Sequence, residues 1–423
     1  MDTLIGKLTL AFKDPLLRKR LLFVGIMLVL FRALAAIPIP GIDVARLAAF
    51  FENNQFLGLL NIFSGGGLSN LSIVMLGVGP YITASIIMQL LTMMSPKLKA
   101  LYHEEGEAGR ARFAQYSRLL TVPLALIQSL GFLVLLERQG VVPDLALFQT
   151  ITNVIIITGG SVLLMWIGEM MTEFGIGNGV SLLIFAGIVA SIPSAASQLL
   201  FSFDPSDVPM YLAFIAAAVA VTWGVVIVTE AERPIPVTYA KRVRGNKVFG
   251  GVSTYLPLRV NQAGVIPIIF ALSILLFPQM IASFLANVDN AFLHTVSSML
   301  LSVFSNGWVY AGLYFVLVLL FTYFYTAVTF DPDTIATNLQ KNGAFIPGVR
   351  PGVSTSQYIG SVLTRITLVG ALFLALVAVL PLAMRAITGN AALAIGGTAL
   401  LIVVSVVLDF IKKIEAQVSM REY

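Results

Sequence analysis

Apolar residues run in ten stretches along this chain, each followed by a polar or Gly/Pro-punctuated segment. The stretches fall at 21–37, 73–94, 119–136, 152–171, 179–199, 209–229, 263–285, 308–329, 364–383 and 393–411. Each is close to the ~20 residues a helix needs to cross a hydrocarbon core of ~30 Å. Backbone N–H and C=O groups find no water there, so only helices or a closed barrel can span it. The alternation expected of barrel strands is absent. The pattern therefore predicts an all-α integral membrane protein of ten transmembrane helices, in a single membrane domain over 1–423.

Composition agrees with this reading. Hydrophobic residues make up 58% of the 423 and charged residues 11%, against about 25% charged in soluble domains. A soluble fold could not cover so much apolar surface. There are no cysteines, which excludes disulfides and thiolate metal sites. The start, Met1–Arg20, is amphipathic and basic, and no small-residue cleavage site follows the first apolar stretch, so no cleavable signal peptide is expected.

The placement of charge sets the expected orientation. With the N-terminus inside, 22 of the 26 Lys and Arg residues fall in inside segments, leaving Arg32, Arg46, Arg138 and Arg385 on or toward the outside. An odd number of spans would scramble this split. Both termini are therefore expected in the cytoplasm. Spans 1–5 (1–200) and 6–10 (201–423) divide the chain into two halves, and five spans per half would make them inverted repeats with the pathway between them. Two inside loops, 230–262 and 331–363, are long and polar, with clustered charge and Pro/Gly turns such as Glu232-Arg233-Pro234-Ile235-Pro236. Loops of this kind have defined turns and can dock a partner.

The chemistry of an enzyme is missing. His103 and His294 are the only histidines, and both are read as loop residues. No His/Cys/carboxylate cluster has metal-ligand spacing, no phosphate loop is present, and no Ser/His/Asp set is plausible. No cofactor is expected. A secondary transporter for a small solute is the alternative to a channel. It would need ionisable groups near the bilayer centre, whereas Glu169, Glu173 and Asp409 lie at span ends and Arg32 in the outer half of its span.

Three segments carry a possible mechanism. About 57–72, an apolar stretch is broken by Ser64-Gly65-Gly66-Gly67 and carries Asn61, Ser69, Asn70 and Ser72. Each glycine costs a helix roughly 0.8–1 kcal/mol relative to Ala, so this segment reads as either an external loop or a short re-entrant element. Val78 and Ile82 are four apart on one helix face, and Val180 and Ile184 repeat the spacing. Bulky apolar residues lining a pore would exclude ions by dewetting, although such pairs occur in almost any membrane helix. Between the fourth and fifth stretches, Gly175, Gly177 and Gly179 make a turn in which Asn178 can cap the next helix.

Several motifs closely resemble the SecY family of protein-translocating channels. They are Phe63-Ser64-Gly65-Gly66-Gly67-Leu68-Ser69, Gly79-Pro80-Tyr81-Ile82-Thr83-Ala84-Ser85, Gly175-Ile176-Gly177-Asn178-Gly179, Asn261-Gln262-Ala263-Gly264-Val265-Ile266-Pro267, Gly343 to Gly352 and Leu400 to Val404. The resemblance covers essentially the whole chain. It implies two inverted five-helix halves forming an hourglass channel in the bacterial cell membrane. It also implies a pore ring at Val78, Ile82, Val180, Ile184, Ile269 and Ile402, and a plug at Phe63, Ser64, Gly65, Gly66, Gly67, Leu68, Ser69 and Asn70. A lateral gate is implied at Gln89, Asn178, Ser273 and Phe277, and partner docking at Arg242, Arg244, Lys247 and Arg350. The implied partners are the small membrane subunits SecE and SecG, the SecA motor ATPase, the ribosome, signal sequences and translocating polypeptides, and the lipid bilayer. Such a channel catalyses nothing and passes unfolded secretory chains, or releases membrane segments sideways into lipid, with energy supplied by the motor or the ribosome.

Overall fold

The computed structural model describes residues 13–40, 67–68, 71–103, 105–138, 142–143, 145–201, 208–239, 242–244, 247–249, 253–285, 291–388 and 396–422. Helices dominate. They are α1 (Pro15–Ala35), α2 (Gly79–Met94), α3 (Pro96–His103), α4 (Gly106–Arg138), α5 (Leu147–Phe174) and α6 (Gly179–Phe201), then α7 (Val208–Glu230), α8 (Ile266–Leu285), α9 (Ala291–Ser305), α10 (Gly307–Thr329), α11 (Pro332–Lys341), α12 (Val353–Thr388) and α13 (Gly396–Glu422). Among the described residues, four stretches are long and apolar enough to cross a membrane: Gly106–Val134, Leu147–Phe174, Gly307–Lys341 and Val353–Met384. Large apolar side chains stand on the outside of the bundle, among them Leu119, Phe148, Val219, Trp223 and Leu376. Water would penalise that surface, whereas lipid does not. The chain is a multi-pass membrane protein.

Local signals set the helix starts. Asp14 caps α1 by accepting from the Leu16 N–H at 2.8 Å, with Pro15 at the first helical position. Asn306 caps α10 in the same way, accepting from the Trp308 N–H at 3.1 Å. The second apolar stretch becomes helical only at Gly79, six residues later than its hydropathy predicts. Residues 71–78 form successive turns. Gly77 has a left-handed φ of 58°, and Pro80 fixes the first turn of α2.

The helices sort into two groups by packing. The first is α1–α6; the second is α7–α13. They meet along a seam where α2 and α4 pack on α8 and α6 packs on α13. The largest buried cluster lies along this seam and draws Val78, Leu182 and Ile184 from the first group, with Ile269, Leu272, Leu374 and Ile402 from the second. A separate cluster sits wholly in the first group and joins Ile39, Leu68, Leu71 and Met75 to Phe132, Leu133, Leu136 and Ile157.

The expectation of an all-helical chain with two separate polar loops needs correcting. Segment 230–262 folds into strands β1 (Glu232–Tyr239), β2 (Arg242–Arg244), β3 (Lys247–Phe249) and β4 (Ser253–Arg259). β1 pairs antiparallel with β4, from Glu232↔Arg259 to Thr238↔Ser253. The other loop contributes β5 (Ala344–Phe345), which pairs with β1 at Thr238 and Tyr239. Pro234 and Pro236 are two apart, so both missing donors lie on the same side of β1, and β5 reaches the strand only beyond them. Ile235 and Val237 alternate with them and point into a third cluster with Leu258, Ala344, Ile346 and Ile359. The two loops are thus one β body. Its neck is closed where the Val260 N–H donates to the Ala231 carbonyl at 2.9 Å. Gly370 of α12 lies against this neck, since a Cβ there would stand 2.5 Å from the Val260 carbonyl oxygen.

Both histidines are also on helices rather than loops. His103 ends α3 and His294 lies in α9, an amphipathic helix packed on α8 and α10.

Candidate functional site

Of the six residues expected to form a pore ring, four belong to the seam cluster and two pack against it. Val78 caps the start of α2 and Ile82 lies one turn on; Val180 and Ile184 hold the same relation on α6. Ile269 comes from α8 and Ile402 from α13. Val78, Ile184, Ile269 and Ile402 are buried in the seam cluster, and Ile82 and Val180 are half-buried against it. The four contributing helices belong to both packing groups. All six are branched aliphatic side chains, which exclude water and make non-directional contacts.

The α5–α6 turn sets the position of Val180 and Ile184. Gly177 takes a φ of 93°. Gly179 lies so close to α5 that a Cβ would stand 2.0 Å from the Gly168 carbonyl oxygen. Asn178 caps α6, its side-chain oxygen accepting from the Ser181 N–H at 3.2 Å. Thr172 ties the turn together by accepting from the Gly179 N–H at 2.8 Å.

Of the expected plug, Phe63, Ser64, Gly65, Gly66, Ser69 and Asn70 lie outside the described residues. Gly67 and Leu68 are described and buried, and Leu68 belongs to the cluster in the first helix group. Gln89 on α2 and Ser273 on α8 lie on helices that pack together across the seam, with Phe277 one turn beyond Ser273. Ser273 is buried, and the Gln89 amide donates to the Ser85 hydroxyl at 3.4 Å. Asn178 stands apart from that pair, at the head of α6. Arg242 pairs in register with Phe249, and Arg244 with Lys247, on the β2–β3 ribbon. Arg350 follows β5, is exposed, and its carbonyl accepts from the Thr355 hydroxyl at 2.9 Å.

One polar constellation escaped the sequence reading. Arg118 of α4 meets Glu169 of α5 at 2.7 Å, and the Tyr81 hydroxyl of α2 lies near the same carboxylate. Three helices of the first group therefore come together at one point, one residue from Ile82. Glu169 was legible as a membrane charge, but its partners are 51 and 88 positions away in the sequence and no local spacing reveals them.

The family model for SecY matches residues 72–411. The chain belongs to the SecY family. It is 43% identical to the protein translocase subunit SecY of Mycobacterium bovis, over 96% of each chain. Its fold matches a solved protein conducting channel with a TM-score of 0.63 at 20% identity, covering 93% of this chain and 91% of that one. It also matches Sec61 in the canine ribosome–channel complex from the endoplasmic reticulum, with a TM-score of 0.60 at 18% identity and the same coverage. The family's motifs thus sit on a fold shared with channels of low sequence identity.

Proposed function

We infer that the chain is a protein-conducting channel that passes unfolded polypeptides across the membrane and releases membrane segments sideways into lipid. The observation that carries this reading is the meeting of Val78, Ile82, Val180, Ile184, Ile269 and Ile402 from both helix groups in one apolar cluster. Ten spans form two inverted halves, 1–200 and 201–423, around an hourglass pore, and those six residues are its waist. An apolar waist closes to ions yet grips a chain of any sequence, because burial is proportional to area and blind to side-chain identity.

Residues 63–70 act as the plug on the outer side. The packing of α2 on α8 is the lateral gate, with Gln89, Ser273 and Phe277 along it and Asn178 at the head of α6. The 22 basic residues on one side support an orientation with both termini in the cytoplasm of a bacterial cell. The β body then faces the cytoplasm. Its ribbon, with Arg242, Arg244 and Lys247, and the adjacent Arg350 form the docking surface for the ribosome or the SecA motor, and SecE and SecG complete the membrane assembly. The canine relative is named for a complex with the ribosome, which favours that partner.

Ion conductance in planar bilayers tests the reading. Deleting residues 63–70 is expected to convert a silent membrane into one with large, flickering conductance. Silence in both forms, together with uptake of a small solute, would replace the channel by a transporter.

A further inference from the structure

Residues 71–78 join the proposed plug to the proposed waist, and they are fixed from two sides. On one side, Pro38 bridges Ser72; the Ile39 N–H donates to the Leu71 carbonyl at 2.8 Å and the Ile73 N–H to the Ile37 carbonyl at 3.0 Å. On the other side is α5. A Cβ on Gly160 would stand 2.1 Å from the Ile73 carbonyl oxygen and 2.8 Å from its carbon. The next residue, Ser161, is fully buried and donates its hydroxyl to the Gly77 carbonyl at 2.9 Å. The neighbouring Gly159 has open space where its Cβ would be.

The segment is also strained. Leu71 has a left-handed φ of 42° and is fully buried. A non-glycine residue holds that conformation only where its surroundings impose it. The side chains of the segment divide between two clusters. Leu71 and Met75 join Leu68 in the core of the first group, while Val74 and Val78 join the seam. The same eight residues therefore follow the proposed plug in sequence and deliver Val78 to the seam cluster.

We propose that Gly160 and Ser161 are positioning residues for channel closure. They seat segment 71–78 and so set the plug and the waist together. The inference rests on the reading of 63–70 as a plug and of the seam cluster as a waist. An added methyl at Gly160 meets backbone, so the segment must retreat by roughly 1 Å or more to regain van der Waals distance. That retreat weakens the closed state and leaves the helices of the second group in place.

The test compares the full-length chain with variants of it, each co-expressed with the small membrane subunits and reconstituted in planar bilayers. Gly160→Ala is expected to raise idle open probability about tenfold, equivalent to ~1.4 kcal/mol. Ser161→Ala is the milder variant and is expected to raise it about fivefold, the scale of one lost hydrogen bond. Gly159→Ala is expected to stay silent. Because the chain has no cysteine, Leu68→Cys provides a single label site for an impermeant maleimide, slow to react alone and faster beside Gly160→Ala. Conductance on deleting 63–70 but none with Gly160→Ala or Ser161→Ala would overturn the positioning role and leave the plug intact. Silence of the deletion itself would overturn the plug reading and this inference with it. Equal conductance from Gly159→Ala and Gly160→Ala would mean that any change to α5 perturbs the channel, which also overturns the positioning role.

Discussion

The seam and the β body are both cored by Ile and Val, yet different forces hold them. Across the seam the contacts are side chain on side chain, and among the described residues no backbone hydrogen bond links the first helix group to the second. The β body has an apolar core too, but a seven-pair ladder between β1 and β4 runs through it and β5 stitches in the second loop. Apolar contact is non-directional, so separating the seam would strand no backbone donor paired across it. Opening the β body would strand several, each costly if buried. A joint without backbone bonds and a laddered body are therefore built from nearly the same residue types.

Three substitutions sharpen this contrast. The largest effect is expected from Arg350→Glu. Reversing this charge is expected to abolish partner-driven translocation while leaving the β body folded, as read by a vesicle translocation assay alongside limited proteolysis; normal translocation would remove Arg350 from the docking surface. Ile235→Ala should cost ~2–5 kcal/mol locally, the usual loss for a truncated core aliphatic. Cleavage within 232–259 should then accelerate while idle conductance stays at the parent level. If conductance rises as well, the body and the seam are not separable. Ile184→Asn buries an amide in the seam for ~1–3 kcal/mol, so the closed state should leak ions while the proteolytic pattern of the β body is unchanged.

The membrane helices were legible because hydropathy reports the solvent a segment needs. It does not report backbone conformation, which is why Ile73–Val78 reads as the start of a span and folds as turns. Gly77 and Pro80 were the available signals for the later start. The β body was hidden for a related reason. Pro234 and Pro236 read as turn punctuation, and the alternation of Ile235 and Val237 with them is too short to argue a strand unaided. The spacing of Val78 and Ile82 is common to membrane helices, so resemblance to a family had to pick it out. Nothing in the sequence separates Gly160 from Gly159. Their difference is made by Ile73, a residue 87 positions away that packs on only one of them.

The narrow neck at Ala231 and Val260 has a mechanical meaning. β1 is eight residues long, so at ~3.3 Å per residue it reaches about 26 Å beyond the neck. The ladder holds it, and the neck at its base joins the end of α7 to the residues that lead into α8, with Gly370 packed beside it. The next helix after the neck, α8, is the one that packs on α2 and α4 across the seam. If the proposed partner docks on the β body, its load enters the membrane helices at this one neck.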